Sequence, residues 1–117
     1  MNQDVKTKWV AALRSGEYTQ ALGQLRYIDK VKGPCHCCLG VLTDLCAIDL
    51  GLEWKQVDMM DALSGLLAKE VKQWSGFEGW NLESEAVEID GDLQHLARHN
   101  DAGRSFAQIA DAIEAQL

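Results

Sequence analysis

Cysteine is missing from most of this chain, and that absence makes the few cysteines present informative. All four lie between positions 35 and 46, in the run Cys35-His36-Cys37-Cys38 and then at Cys46. Clustering of this kind indicates a local site or local packing rather than a disulfide framework. Cys38 and Cys46 would lie about 12 Å apart on one helix, beyond the roughly 7 Å across which a disulfide forms. We therefore expect free thiols.

Proline is nearly absent as well, since Pro34 is the only one. Cys35-x-x-Cys38 has the spacing of a dithiol motif, and it precedes a predicted helix whose amino-terminal dipole would lower a thiol pKa. A thioredoxin-like site also needs a βαβ setting and a second proline that faces the dithiol, and no proline follows Pro34. A thiol-redox module is therefore an alternative rather than the main interpretation.

Long hydrophobic runs are missing too. No apolar segment approaches the roughly 18 residues that span a membrane, and Met1-Asn2-Gln3-Asp4 leads into an amphipathic segment without the features of a signal peptide. We expect a soluble cytoplasmic protein with no membrane partner. The chain has 117 residues, 47% of them hydrophobic, which is enough for one core without staples. We predict a single domain over residues 1–117.

Lysine and arginine are absent between Gln73 and Ala97. The net charge of −7 divides into +3 for residues 1–32 and −10 for residues 33–117. The carboxylates of the predicted acidic face are Glu78, Glu83, Glu85, Glu88, Asp90 and Asp92. A surface of this sign repels phosphate backbones and attracts basic surfaces. We expect no direct DNA binding and a protein partner with a basic surface, whereas the simpler alternative is a solvated acidic face.

The spacing of apolar residues predicts an α+β fold with about four helices packed on a small antiparallel sheet or hairpin. The first helix carries Trp9 and ends at Ser15-Gly16. A mostly apolar central helix begins close to Cys38 and stops at Gly51. Its apolar width indicates burial on several sides.

Local patterns predict the strands and one short helix. The turn Lys32-Gly33-Pro34 joins the two strands of a hairpin, and Val87 and Ile89 form a strand that ends at Asp90-Gly91. A short helix is predicted from Asp92 to His99.

Two more helices follow from spacing and capping. Leu67, Val71 and Trp74 recur at helical intervals and predict a short helix with an apolar stripe. The last helix begins at Ser105, and Gln108 three residues later completes a capping box.

A zinc site is the alternative interpretation of the cysteine cluster. Its candidate ligands are Cys35, Cys37, Cys38, His95 and His99. The two histidines are spaced i, i+4 on one face of a predicted helix, which suits metal binding. The cysteine spacing, however, is neither the paired C-x2-C of a zinc ribbon nor the finger pattern. The simpler interpretation is small core cysteines with histidines at the surface, so we expect no cofactor.

Signatures of other activities are missing. The chain has no phosphate-cradling glycine loop and no nucleophile elbow. Glu83, Glu85 and Glu88 lie in a polar stretch with no nearby cation that would tune their pKa values. The segment from Gly103 to Ala110 resembles the first helix of a helix-turn-helix, but no recognition helix follows it before Leu117. We therefore expect neither enzymatic activity nor DNA reading.

Three blocks of sequence together carry a resemblance to a known group of proteins. The blocks are Trp9-Val10 with Ala12-Leu13-Arg14-Ser15-Gly16, Cys37-Cys38-Leu39-Gly40-Val41-Leu42 with Asp44-Leu45, and Asn100-Asp101-x-Gly103-x-Ser105-Phe106 with Ile109-Ala110. The chain resembles a family of small uncharacterised proteins of tailed phages and prophages, over nearly its whole length. The family pattern lacks Cys35-His36, His95 and His99, which weakens the zinc interpretation.

The resemblance carries no established activity, but it implies a role. Small phage proteins of this kind commonly occupy a host component, so it implies a non-enzymatic accessory protein that binds a host protein, such as part of a defence system. It also implies structural roles for Trp9 in the core, Gly40 in close packing, and Gly103 with Ser105 in a turn and cap. A second alternative is an oligomeric sponge that sequesters a small signalling ligand.

Overall fold

The structure is a computed structural model that describes residues 1–54, 69–77 and 86–117. Helix α1 (Gln3–Arg14) begins at Asn2, whose side-chain oxygen accepts a hydrogen bond from the backbone N–H of Val5 at 3.0 Å. The helix ends at Ser15, and Gly16 follows with a left-handed φ of 79°. The predicted first helix is confirmed, and Trp9 is fully buried.

The first sheet contains β1 (Thr19–Gln20), β2 (Arg26–Asp29) and β3 (Gly33–His36) in the order β1-β3-β2. Strands β2 and β3 form the predicted antiparallel hairpin, whose turn is held by the Asp29 carboxylate. Strand β1 pairs with β3 in parallel, so the sheet is mixed rather than purely antiparallel as predicted. A two-residue strand has too little sequence to show an alternating pattern.

The central helix α2 (Cys38–Leu50) forms as predicted. It begins at Cys37 and ends at Gly51, whose φ of 67° gives a left-handed cap. Its first half is buried on every side, because every residue from position 38 to position 43 is buried. Helix α3 (Lys69–Ser75) buries Val71 as predicted, whereas Leu67 lies outside the described residues.

The second sheet is a hairpin of β4 (Ala86–Ile89) and β5 (Asp92–His95). Helix α4 (Leu96–Asp101) follows, so the prediction of a helix from Asp92 to His99 is wrong in its first half. Asp90 and Gly91 both have positive φ, 53° and 80°. Two consecutive positive φ values make a turn that matches the twist of antiparallel strands, and the chain therefore pairs back on β4 before any helix begins.

Helix α5 (Phe106–Gln116) has the predicted capping box, in which Ser105 and Gln108 exchange hydrogen bonds. It packs along α1; α1 in turn packs on α2, and α5 packs on β4. The described residues therefore form an α+β fold around one core. Its largest fully buried side chains include Trp9, Phe77, Leu25, Leu39, Leu42, Leu96, Ile109 and Ile113. No helix in the described part of the chain is long and apolar enough to cross a membrane.

A buried side-chain amide joins three parts of this core. The Asn100 oxygen accepts hydrogen bonds from the Cys38 backbone N–H at 3.1 Å and from the Gln20 side chain at 2.9 Å. Its nitrogen donates to the Ala21 carbonyl at 2.7 Å and to the Asp101 carboxylate at 3.3 Å. All four hydrogen-bonding positions of the amide are occupied, as a fully buried polar group requires.

Gly40 sets how closely α2 approaches the chain before β2. A Cβ at this position would lie 1.8 Å from the Leu25 carbonyl oxygen, which also accepts a hydrogen bond from the Cys37 backbone N–H at 3.1 Å. Backbone cannot move aside as a flexible side chain can, so the close packing implied for Gly40 is confirmed.

We predict that Gly40→Ala destabilises the fold by about 3 kcal/mol or more, because the new methyl group must displace backbone in a packed region. The comparison variant is Gly103→Ala, which meets no atom within 4 Å but keeps a φ of 90° and should cost only about 1–2 kcal/mol. Urea denaturation measures both. An equal loss in the two variants would contradict the role given to the Leu25 carbonyl.

Candidate functional site

The predicted acidic face is only partly within the described residues. Glu78, Glu83 and Glu85 lie outside them, whereas Glu88, Asp90 and Asp92 surround the β4–β5 turn. We call these last three residues the acidic hairpin. Asp90 forms an ion pair with Arg104 at 2.6 Å, whereas no cation of the described residues pairs with Glu88 or Asp92.

A shallow groove lies between the acidic hairpin and α5. Three carboxylates line it, those of Glu88, Asp90 and Asp111; its lining contains no lysine or arginine, although Arg104 pairs with Asp90 and Arg14 pairs with Asp111 from outside it. Gln116 closes one end, where its side-chain amide accepts a hydrogen bond from the Glu88 N–H and donates one to the Glu88 carbonyl, both at 2.8 Å. The groove therefore offers the negative charge of Glu88 beside the small exposed side chain of Ala115.

The cysteines are buried packing groups. Cys37 caps α2, because its sulfur accepts a hydrogen bond from the Gly40 N–H at 3.3 Å. Burial nevertheless raises the pKa of Cys37 to about 11, more than the backbone N–H groups lower it. The expected lowering of a thiol pKa by the helix dipole is therefore wrong here, since desolvation of a buried thiolate is the larger effect.

The remaining thiols are buried as well. Burial raises the pKa of Cys38 well above its ordinary value, and that of Cys46 to about 11. Cys35 is 1% exposed and directs its sulfur at the Gly33 carbonyl, 3.5 Å away. All four are free thiols, and the interpretation of Cys38 and Cys46 as small core residues is confirmed.

The two candidate histidine ligands do not share a helical face. His95 is the last residue of β5, and His99 lies in α4 with 1% of its surface exposed. The Nε2 of His99 donates to the Val87 carbonyl at 2.8 Å and so ties α4 to β4. Both the ligand arrangement and the alternative of two surface histidines are therefore wrong for His99.

The described ranges 1–54, 69–77 and 86–117 contain no group of three or more His, Cys, Asp or Glu side chains arranged to hold a metal ion. The five candidate zinc ligands do not converge in one group. The geometry of these residues therefore gives the zinc alternative no support.

A second group of polar side chains converges around His36. We call it the His36 cluster, and its members are Tyr18, Arg26, His36, Asp44 and Trp54. His36 is 6% exposed and lies beneath the other four, which are all half-buried. Its ring stacks edge-on against Tyr18, with centroids 5.1 Å apart, and lies 5.6 Å from the ring of Trp54.

Asp44 organises the rim of the His36 cluster. Its carboxylate accepts the Tyr18 hydroxyl at 2.6 Å and the Trp54 indole N–H at 3.0 Å. Burial, and then the hydrogen bond to Asp44, raises the pKa of Tyr18 above its usual range. Two neutral donors, the Tyr18 hydroxyl and the Trp54 indole, therefore hold the rim together through one acceptor, the Asp44 carboxylate.

His36 and Arg26 are left without hydrogen-bond partners inside this rim. Both ring nitrogens of His36 and the Nε of Arg26 are buried, and none bonds to any group of the described residues. Leaving a buried polar group unpaired costs about 1–3 kcal/mol, so such groups need an explanation. Burial lowers the pKa of His36, although the Asp44 charge opposes this effect. The imidazole is therefore neutral near pH 7.

The sequence contains one signal that points to this cluster. Asp44 is the single carboxylate in the apolar stretch from position 38 to position 48, and a charged group there requires buried partners. His36, Gly40 and Asp44 also recur every four residues along one side of α2 and its entry. Tyr18, Arg26 and Trp54 come from separate segments, and no local pattern indicates that they meet.

Comparison with known proteins identifies the family of the chain. Residues 1–117 match the family model described as Domain of unknown function (DUF8296). No curated protein and no solved structure matches the chain.

We predict that Tyr18→Phe lowers stability by about 1 kcal/mol at pH 7, because the half-buried hydrogen bond to Asp44 is lost. The folded state holds the Tyr18 proton to higher pH than the unfolded state, whose tyrosine pKa is about 10. The stabilisation is therefore present below about pH 10 and is lost as the pH rises above it.

Urea denaturation at a series of pH values measures the difference between wild type and Tyr18→Phe. Both proteins keep the same cysteines, so thiol titration cancels from the difference. Tyr27→Phe is the matched control, because Tyr27 lies at the surface of β2. A difference that stays constant from pH 7 to about pH 12 would contradict the raised pKa of Tyr18.

Proposed function

The chain belongs to the DUF8296 family, and from this premise we propose that it is a non-enzymatic phage accessory protein that binds a basic surface of a host protein. The observation that carries the proposal is the acidic hairpin with its adjoining groove. Glu88 and Asp92 are exposed there without a cation partner among the described residues, and the lining of the groove is free of basic side chains.

Exposed carboxylates without basic neighbours attract a basic partner and orient its approach. They contribute mainly to the association rate and to partner choice, and salt screens them beyond about 8–10 Å. Binding should therefore weaken as ionic strength rises. The exposed side chain of Ala115 in the groove adds a small apolar contact that long-range attraction alone does not provide.

Rigid placement favours recognition rather than catalysis at this surface. Asp90 is fixed by its ion pair with Arg104 at 2.6 Å, and the backbone of Glu88 is fixed by the Gln116 amide. Apart from its carboxylates, the groove lining includes none of the side chains that commonly serve as nucleophiles or general bases, such as histidine, cysteine, serine or lysine. A fixed charged surface without such a group is suited to binding.

We predict that the double variant Glu88→Lys with Asp92→Lys loses at least about tenfold in affinity for the host partner, because it reverses both unpaired charges. The matched control is Asp4→Lys with Glu70→Lys. It changes the net charge equally at two exposed positions in the first turns of α1 and α3.

Affinity capture from host-cell lysate compares wild type, the double variant and the control. The proposal expects one protein that wild type and the control retain and the double variant loses, with less recovered at higher salt. Equal retention by the double variant, or recovery of no protein by wild type, would count against it.

A further inference from the structure

Buried polar atoms without partners are concentrated at one place in the described residues. They belong to Arg26, His36 and His95, and the first two are neighbours. The register of β2 and β3 sets Arg26 directly opposite His36. Side chains of such a cross-strand pair leave the same face of the sheet from Cβ atoms about 4.5–5.5 Å apart. Two unsatisfied groups therefore face one small region.

The residues of this region are arranged as in a small binding site. His36 forms its floor, and the half-buried side chains of Tyr18, Asp44 and Trp54 surround it. Arg26 lies over the Trp54 ring, with its Cζ atom 5.3 Å from the ring centroid. This contact holds the guanidinium in place without using its N–H groups.

Charge indicates the kind of ligand. No carboxylate of the described residues forms an ion pair with the half-buried Arg26, whose Nε is buried without a hydrogen-bond partner. The guanidinium offers several N–H donors in a fixed plane, and a neutral imidazole adds one more. Oxygens that carry negative charge are the acceptors such donors match best. A cationic ligand would be repelled by Arg26.

We propose that Arg26 and His36 form a binding site for a small oxyanion, the carboxylate or phosphate group of a small molecule. The guanidinium and one imidazole N–H donate hydrogen bonds to its oxygens. Tyr18 and Trp54 limit the access of water, which strengthens these bonds. The proposal does not depend on the acidic hairpin or its partner.

Asp44 acts against this ligand and gives the proposal a directional test. Its charge lies close enough to His36 to oppose the lowering of the imidazole pKa by burial. The same charge therefore repels an anion bound beside His36. The hydrogen bonds from Tyr18 and Trp54 disperse that charge but do not remove it. Neutralising Asp44 should therefore tighten oxyanion binding, whereas a merely structural role would predict no gain.

The test is a titration with sodium phosphate and, separately, with sodium acetate, at constant ionic strength maintained with sodium chloride. Long-range nitrogen–proton NMR follows the imidazole nitrogens of His36. The proposal expects saturable shifts of His36 with at least one anion. Saturation by phosphate at lower concentration assigns the site to phosphate groups, and saturation by acetate at lower concentration assigns it to carboxylates.

The variants sharpen the result. Arg26→Gln should weaken binding by about tenfold or more, Arg26→Lys by less, and Asp44→Asn should tighten it several-fold. Arg98→Gln is the matched control, since it removes the same charge from an exposed position on α4, outside the cluster. Thermal melts identify the variants that fold. If Arg26→Gln does not fold, Arg26→Lys, which keeps the charge, replaces it in the binding test.

Binding should also tighten as the pH falls from about 8 to 6. A bound anion stabilises the imidazolium, so binding takes up a proton at His36; acetate is the anion for this comparison, because phosphate itself takes up a proton in this pH range. Either of two results overturns the proposal. One is that neither anion shifts the His36 nitrogens saturably, and the other is that Asp44→Asn weakens binding or Arg26→Gln leaves it unchanged.

Discussion

The buried amide of Asn100 is the interaction on which the arrangement of the core depends. It accepts hydrogen bonds from the Cys38 N–H at the start of α2 and from the side chain of Gln20, the last residue of β1, and it donates to the carbonyl of Ala21. An amide in an apolar core is costly unless all of its bonds are made, and here all of them are. The chain must therefore bring β1, α2 and α4 together in one geometry to bury it.

The place where Asn100 joins β1, α2 and α4 is a structural junction, and the cysteines at the start of α2 are part of its packing. Cys37 caps the same helix end, Cys38 supplies the N–H that Asn100 accepts, and the indole of Trp9 donates to the Cys38 carbonyl at 2.9 Å. Thiols in these positions are small buried groups, and burial raises the pKa of Cys37 and Cys38, which disfavours a reactive thiolate. The cysteines of the run that most resembles an active site are used for packing, whereas both ring nitrogens of His36, within the same run, have no hydrogen-bond partner among the described residues.

Elements with strong local patterns could be predicted from the sequence. Three such features are present in the structure: the N-terminal cap of α5 at Ser105, the end of α2 at Gly51 and the apolar stripe of α1 around Trp9. Each depends only on residues close together in the sequence. Asp90-Gly91 is a residue pair that favours a hairpin turn, and both residues have positive φ, but Asp92-Leu93-Gln94-His95 lack the β-branched and aromatic residues typical of strands, which is why the helix predicted there is wrong. The His36 cluster depends on four separate segments meeting in space. Only the isolated carboxylate of Asp44 indicated it.

The central claim is that the cysteine run is a structural junction rather than a metal or redox centre. Elemental analysis of protein purified in reductant tests it most directly, because a zinc site requires about one metal ion per chain. The account predicts no stoichiometric zinc in the wild type and none in Cys37→Ser. Near one zinc per chain, lost on Cys37→Ser, would contradict it and return the cysteines to the candidate site.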